Sequence, residues 1–281
     1  MAIPARGAPR GRAPSPLIDS HVHTDDERLD GDRTRVLADA RRANVVAQIV
    51  PAITRRFWPR VKALCDAEPD LFACYGLHPC FHDEHGEADL TELPAWLGRE
   101  RPVAVGECGL DYFVAGAAKA EQQRLFAAQL ALAREFDLPI VIHARRAVED
   151  VIRMVRASGH YRGLVHSFSG SPQQARRLID LGYRLSFGGA VTFDRARRLR
   201  ALVATLPLEA ILLETDAPDQ SGAMHPGARN EPAWLVEVWR AVSALREEDE
   251  ETVARVTTAN AIELFDLPAS TLEDPTIAAS A

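Results

Sequence analysis

His21 and His23 stand one residue apart at the end of an apolar run, "LIDSHVHTDD", residues 17 to 26. Side chains at alternate positions of a strand share one face, so both imidazoles would point into one space. If that face is the interior of a barrel, a divalent metal is the first chemistry to consider, since imidazole is a common metal ligand. His-x-His also occurs in unrelated sequences, so the remaining ligands have to come from elsewhere in the chain.

Four further residues occupy comparable places. Glu107 in "PVAVGECGL", His143 in "LPIVIHA", His166 in "GLVHSFSG" and Asp216 in "AILLETDAP" each fall at the carboxyl end of an apolar run that reads as a strand. Singly, His143 would read as a hydrogen-bonded core histidine and Glu107 as a helix cap. Together, four imidazoles and two carboxylates buried in one place would be costly unless something satisfied them, and one or two divalent cations would do so.

Six protein ligands exceed the roughly three, plus water, that one open catalytic metal takes. Two metals sharing a carboxylate divide them, and a pair about 3.5 to 4 Å apart can hold a hydroxide between them while stabilising the attacking and leaving oxygens of a phosphodiester. The only lysines, Lys62 and Lys119, lie away from the strand ends, which excludes a carbamylated lysine as the bridge. Glu107 takes that place.

The elements that must position these residues follow from periodicity. Short apolar runs at "PLIDSHVH", "VVAQIVPAI", "LFACYGLHP", "PVAVGECGL", "LPIVIHA", "GLVHSFSG", "YRLSFGGA" and "AILLETDAP" read as buried strands, each followed by helical spacing. In "AEQQRLFAAQLALAREFD", Leu125, Phe126, Leu130, Ala133 and Phe136 form one stripe. Pro102, Pro139, Gly163 and Gly182 are expected to close helices before the next strand. Eight strands alternating with helices predict a parallel (β/α)8 TIM barrel, whose strand carboxyl ends converge on the catalytic face. The rival, an open doubly wound sheet, usually shows a glycine-rich turn after its first strand, where this chain has His-Val-His. The stretch "EEDEETVARVTTANAIELF" is expected as an extra helix on the outside. Residues 1–16, rich in Pro, Arg, Ala and Gly, read as a mobile tail, 17–266 as the barrel, and 267–281 as a second tail.

The 281 residues are 47% hydrophobic and 26% charged, enough for a sizeable core. A net charge of -7 argues against coating nucleic acid by bulk charge, so a polyanion would need a local grip. Cys65, Cys74, Cys80 and Cys108 form no paired pattern and read as free thiols in a reducing compartment. Without a secretory signal or an apolar run of about 20 residues, the expected setting is cytoplasmic, with no membrane partner and no obligate protein partner.

The stretches "IDSHVH", "GLHP", "AVGECGLDY", "IHARRA", "VHSFSGS", "LLETDAP" and "RNEP", between residues 18 and 232, resemble the TatD family of metal-dependent hydrolases, within the amidohydrolase-like metal barrels. "TTANAIELF", at 257 to 265, is similar to the family's closing helix. The resemblance implies that His21, His23, Glu107 and Asp216 surround one metal and that Glu107, His143 and His166 surround a second. It implies that Asp216 helps to deprotonate or orient the attacking water, and that His78 of "GLHP" faces the substrate without being a ligand. Two departures stand out. The chain reads H-V-H-T-D-D where an aromatic often follows the second histidine, and A-R-R where S-R is frequent. The second keeps Arg145, whose guanidinium could hold a phosphate through paired hydrogen bonds.

The expected activity is hydrolysis of phosphodiester bonds in DNA, a deoxyribonuclease reaction with two divalent ions and no covalent intermediate, for which the resemblance supplies the substrate class. Imidazole-rich ligation suits zinc, whereas phosphodiester chemistry suits magnesium or manganese. One rival is hydrolysis of a carboxylic ester, lactone or amide, including the aminoacyl bond of a D-aminoacyl-tRNA. Another is a metal-holding scaffold without chemistry, against which the complete ligand set speaks. Among lesser signals, Arg195, Arg197, Arg198 and Arg200 read as a solvated helix face. Arg55, Arg56 and Arg60 raise the same question nearer the active face. His82 and His85 read as solvent-exposed loop residues. His225 falls close enough to the site to touch substrate. Cys108, next to Glu107, should point to the opposite face of its strand.

Overall fold

The computed structural model describes residues 15–113 and 118–272; the tail expected over 1–16 lies outside them up to residue 14, as does the second tail from residue 273. Eight parallel strands pair in sequence order: β1 (Leu17–Asp19), β2 (Val45–Ala52), β3 (Leu71–Tyr75), β4 (Ala104–Asp111), β5 (Ile140–Arg145), β6 (Gly163–Val165), β7 (Tyr183–Phe187) and β8 (Ile211–Leu213). Ser20 N donates to Leu213 O at 2.9 Å and Asp216 N to His21 O at 3.0 Å, which joins the last strand to the first. The architecture is a (β/α)8 TIM barrel, as the alternation predicts.

Between consecutive strands run α1 (Arg33–Arg42), α2 (Trp58–Ala67), α3 (Glu87–Glu100), α4 (Lys119–Glu135), α5 (Val148–Ser158), α6 (Pro172–Asp180) and α7 (Arg197–Thr205), followed by α8 (Leu235–Ser243) and α9 (Glu250–Phe265). Local chemistry sets several of their limits. Ser171 accepts from Gln174 N while Gln174 Oε1 accepts from Ser171 N, a reciprocal cap with Pro172 opening α6. The helix closure expected at Gly163 belongs instead to Gly159, at φ 68°, while Gly163 begins β6, where a Cβ would lie 2.6 Å from Ile140 O.

Two apolar layers hold the barrel. The outer one packs helices on strands: Leu125, Phe126, Leu130 and Ala133 of α4 join Val105, Cys108, Ile140 and Ile142. The inner one gathers Ile18, Ala47, Ile49, Cys74, Ala104, Val141, Leu164 and Leu212 with Ala261, Leu264 and Phe265 of α9. The final helix is therefore not an outer addition: its apolar end packs into the layer that fills the barrel. Leu267, placed by the sequence in the mobile tail, is 6% exposed and belongs to this same layer.

Candidate metal centre

The strands bring the six expected ligands together, though not all at strand ends. Glu107 and His143 lie within β4 and β5, which stay paired as far as Asp111 and Arg145, while His21, His23, His166 and Asp216 lie just beyond their ladders. A register shift between Val105 and Cys108 leaves Glu107 facing inward, with Cys108 in the outer apolar layer. Gly109, at φ 130°, lets β4 pass the neighbouring strand; a Cβ there would stand 2.2 Å from His143 O.

Glu107 is the hub of the cluster. Its Oε1 lies 2.9 Å from His166 Nε2, 3.0 Å from His78 Nε2 and 3.2 Å from His143 Nδ1. Its Oε2 lies 3.2 Å from His21 Nε2 and 3.6 Å from His23 Nε2. Asp216 Oδ1 stands 3.6 Å from the same two nitrogens. The two carboxylate oxygens thus face two different imidazole sets. Burial opposes ionisation of Glu107, yet the imidazoles of His78, His166 and His21 together hold its carboxyl well below the usual range. Burial likewise pushes the imidazole of His21 down and that of His78 down to about 4.

The residues fit divalent metal ions. Among the described residues, Nδ1 of the fully buried His21 and Nδ1 of His166 have no hydrogen-bond partner, and His21 Nε2, though 3.2 Å from Glu107 Oε2, makes no well-directed hydrogen bond. Buried imidazoles without partners are expensive, and neutral imidazole with carboxylate is a donor set that zinc, manganese and related ions accept. His21, His23 and Glu107 form one group of converging donors, and Glu107, His143 and His166 another.

Several supporting residues carry no role in the sequence reading. Asp111 Oδ2 lies 2.9 Å from His143 Nε2, the ring's other nitrogen. Asp19 accepts from Thr215 N at 3.0 Å and from Thr215 Oγ1 at 2.5 Å, tying the first strand to the "ETDAP" turn. Asn230 of "RNEP" donates to Thr215 O and Asp219 O, both at 2.8 Å, and Gln220 Nε2 donates to Asp216 Oδ2. Gln122 and Gln129 are polar members of the buried stripe of α4: Gln122 accepts from Asp111 N, and Gln129 from Leu77 N, each at 2.8 Å.

The cluster opens into a cavity of about 750 Å³. Phe57, Phe81, Phe168 and Phe187 contribute apolar wall, Arg28 pairs with both Asp26 and Asp219 at the lining, and Asp25, Glu27, His78 and Arg145 also line it. The Arg145 guanidinium lies 3.6 Å over the ring of Phe113. The lesser signals resolve differently. His85 is buried rather than exposed: its Nε2 lies 2.9 Å from His78 O, so the loop folds back to hold that backbone. His82 is half-buried, with Nδ1 3.1 Å from Pro79 O. His225 stacks on Trp234 and meets Glu237 Oε1 at 2.9 Å, and it does not line the cavity. Arg55, Arg56 and Arg60 are engaged by Asp89 and Glu92, by Glu84, and by Asp30. Arg195, Arg197 and Arg198 are exposed, as expected, and Arg200 donates to Val191 O.

Comparison with known proteins gives the family and agrees with the fold. A family model described as "TatD related DNase" matches residues 18–266. YjjV of Escherichia coli K12, an uncharacterized metal-dependent hydrolase, is 38% identical over 90% of this chain and 98% of its own length. YabD of Bacillus subtilis, described in the same terms, is 35% identical over 89% and 98%. The crystal structure of YjjV superposes with a TM-score of 0.87. At 14% identity and a TM-score of 0.64, a phosphotriesterase homology protein from Escherichia coli shares the fold.

Proposed function

The chain belongs to the TatD family of metal-dependent hydrolases, and from that premise we propose that it cleaves phosphodiester bonds in DNA. The observation that carries the reading is the two-sided contact of Glu107, one oxygen toward His143 and His166 and the other toward His21 and His23. In this reading His21, His23, Glu107 and Asp216 hold one ion, and Glu107, His143 and His166 hold the other. Two such ions, zinc, magnesium or manganese, would supply Lewis acidity to an attacking water and to the phosphoryl oxygens when bound.

The chain's own groups do the rest. Asp216, held at its second oxygen by Gln220, takes up the proton of the attacking water. His78 accepts the backbone N–H of Cys80 at Nδ1, which leaves Nε2–H as a donor beside Glu107 and the substrate. Arg145 leaves its stack on Phe113 to grip a phosphate, and the phenylalanine wall receives a base. Free thiols accord with a cytoplasmic setting. Among the described residues no helix is long and apolar enough to cross a membrane.

A second reading draws on the engagement of Arg28 by Asp26 and Asp219, which takes that cation from the cavity lining and suits a small carbonyl substrate better than a long polyanion. It makes the chain a hydrolase of a carboxylic ester, lactone or amide, including the ester of a D-aminoacyl-tRNA. Turnover of single-stranded DNA, a D-aminoacyl-tRNA and a lactone panel by the metal-loaded protein, with Glu107→Gln as control, decides between them. Metal-dependent release of nucleotides that Glu107→Gln abolishes supports the first reading. Turnover confined to the carbonyl substrates overturns it.

A further inference from the structure

A second group of donors adjoins the first at the mouth of the cavity. Cys80 Sγ lies 3.4 Å from Asp111 Oδ2, and that same oxygen lies 2.9 Å from His143 Nε2. Donor atoms of His78, Cys80 and His143 all fall within 4.8 Å of one another. Cys80 Sγ and His143 Nε2 thus flank one oxygen of Asp111, a grouping that adds a sulfur the six expected ligands lack. Cys80 is also the exposed thiol among the four: Cys74 and Cys108 are buried and Cys65 is partly covered.

We propose that Cys80 Sγ, Asp111 Oδ2 and His143 Nε2 form an outer site for a thiophilic divalent cation of the zinc type. A thiolate, a carboxylate and an imidazole make a three-ligand set with a fourth position open to the cavity, and the sulfur selects zinc or cobalt over magnesium. His78 is not counted as a ligand, since its Nδ1 takes the Cys80 N–H and its Nε2 faces Glu107.

Proton accounting gives the site a consequence. Binding releases the Sγ proton to solvent, and the His143 proton that faces Asp111 moves to Nδ1, where Glu107 Oε1 accepts it. As a neutral ring, His143 serves the outer ion or the inner cluster, but not both. An outer ion therefore competes with the inner one for this ring. The site itself needs only these side chains and holds whatever the substrate proves to be.

The test is a titration of the metal-stripped full-length protein with cobalt(II), followed by near-ultraviolet absorption. Wild type is expected to develop a thiolate-to-cobalt charge-transfer band. Cys80→Ser is expected to lose that band while still binding cobalt through its histidines. No band in wild type, or a band that survives in Cys80→Ser, overturns the proposal. A second measurement avoids the variant altogether: zinc should slow carboxymethylation of Cys80 in the metal-stripped wild type, mapped by peptide mass. An unchanged rate overturns the proposal as well.

Discussion

Asp111 Oδ2 lies 2.9 Å from Nε2 of His143, while Nδ1 of that ring faces Glu107 3.2 Å away. A carboxylate behind a metal-binding imidazole fixes its tautomer and orientation and raises its basicity. Asp111 is in turn held at its backbone N–H by Gln122 of α4. Asp111→Ala is therefore expected to weaken divalent metal binding by about 10- to 100-fold. Calorimetric titration of the stripped protein with manganese measures this, and an affinity equal to wild type would remove Asp111 from the account.

Arg145 is exposed, stacked on Phe113 and directed to the cavity, so its charge is available to substrate. A hydrogen bond to a charged group contributes about 1.5 to 3 kcal/mol. Arg145→Ala should raise KM for a DNA substrate at least about 10-fold, the equivalent of about 1.4 kcal/mol, with little change in kcat. The wild-type salt dependence should be shallow, as few phosphates are gripped, and shallower still in the variant. Steady-state kinetics at two salt concentrations read both effects. Equal KM values would show that Arg145 does not touch the substrate.

The opposite end of the barrel should behave independently. Phe265 is 1% exposed and packs with Leu264 and Ala261 into the inner apolar layer. Truncation to alanine leaves a cavity there, so Phe265→Ala should lose about 3 to 5 kcal/mol of stability. Metal affinity should not change, since barrel function and barrel stability reside at opposite faces. Urea unfolding and metal titration together check this, and a coupled loss of metal binding would contradict it.

His160 offers a pH test away from the centre. It is 7% exposed, with Nδ1 3.1 Å from Tyr183 OH and Nε2 2.9 Å from Leu138 O, while the Tyr183 hydroxyl donates to His160 O at 3.2 Å. Burial lowers its pKa below the ordinary 6.5. The unfolded chain then takes up the proton first, so the contribution of His160 is complete above about pH 6.5 and declines as pH falls through the folded value. The stability gap between wild type and His160→Gln should narrow from pH 7.5 to 5.5 in denaturant titrations. A gap that widens on acidification would mean the ring is charged in the fold.

The strands and the convergence of six histidine and acidic side chains were legible because a barrel strand buried on both sides is a short apolar run, and a polar residue closing such a run stands out. The residues that orient them were harder to see. Asp111 lies four residues after Glu107 on the same strand, an even spacing that places both on one face. Gln122 and Gln129 fall on the stripe of Leu125 and Phe126, where polar residues signal a buried hydrogen bond rather than solvent. His85 was misread because its loop is polar in composition, whereas its burial depends on the chain folding back onto the His78 carbonyl. The seat of α9 was hidden for a related reason: apolar spacing defines a helix face but not the partner that receives it.

If two metal ions occupy the cluster, one carboxylate, Glu107, is shared between them. Crystals of the full-length protein soaked in manganese and measured for anomalous scattering address it directly. Two peaks are expected flanking the Glu107 side chain, one beside His21 and His23 and one beside His143 and His166. A single peak, or a pair with either member out of contact with Glu107, would contradict it.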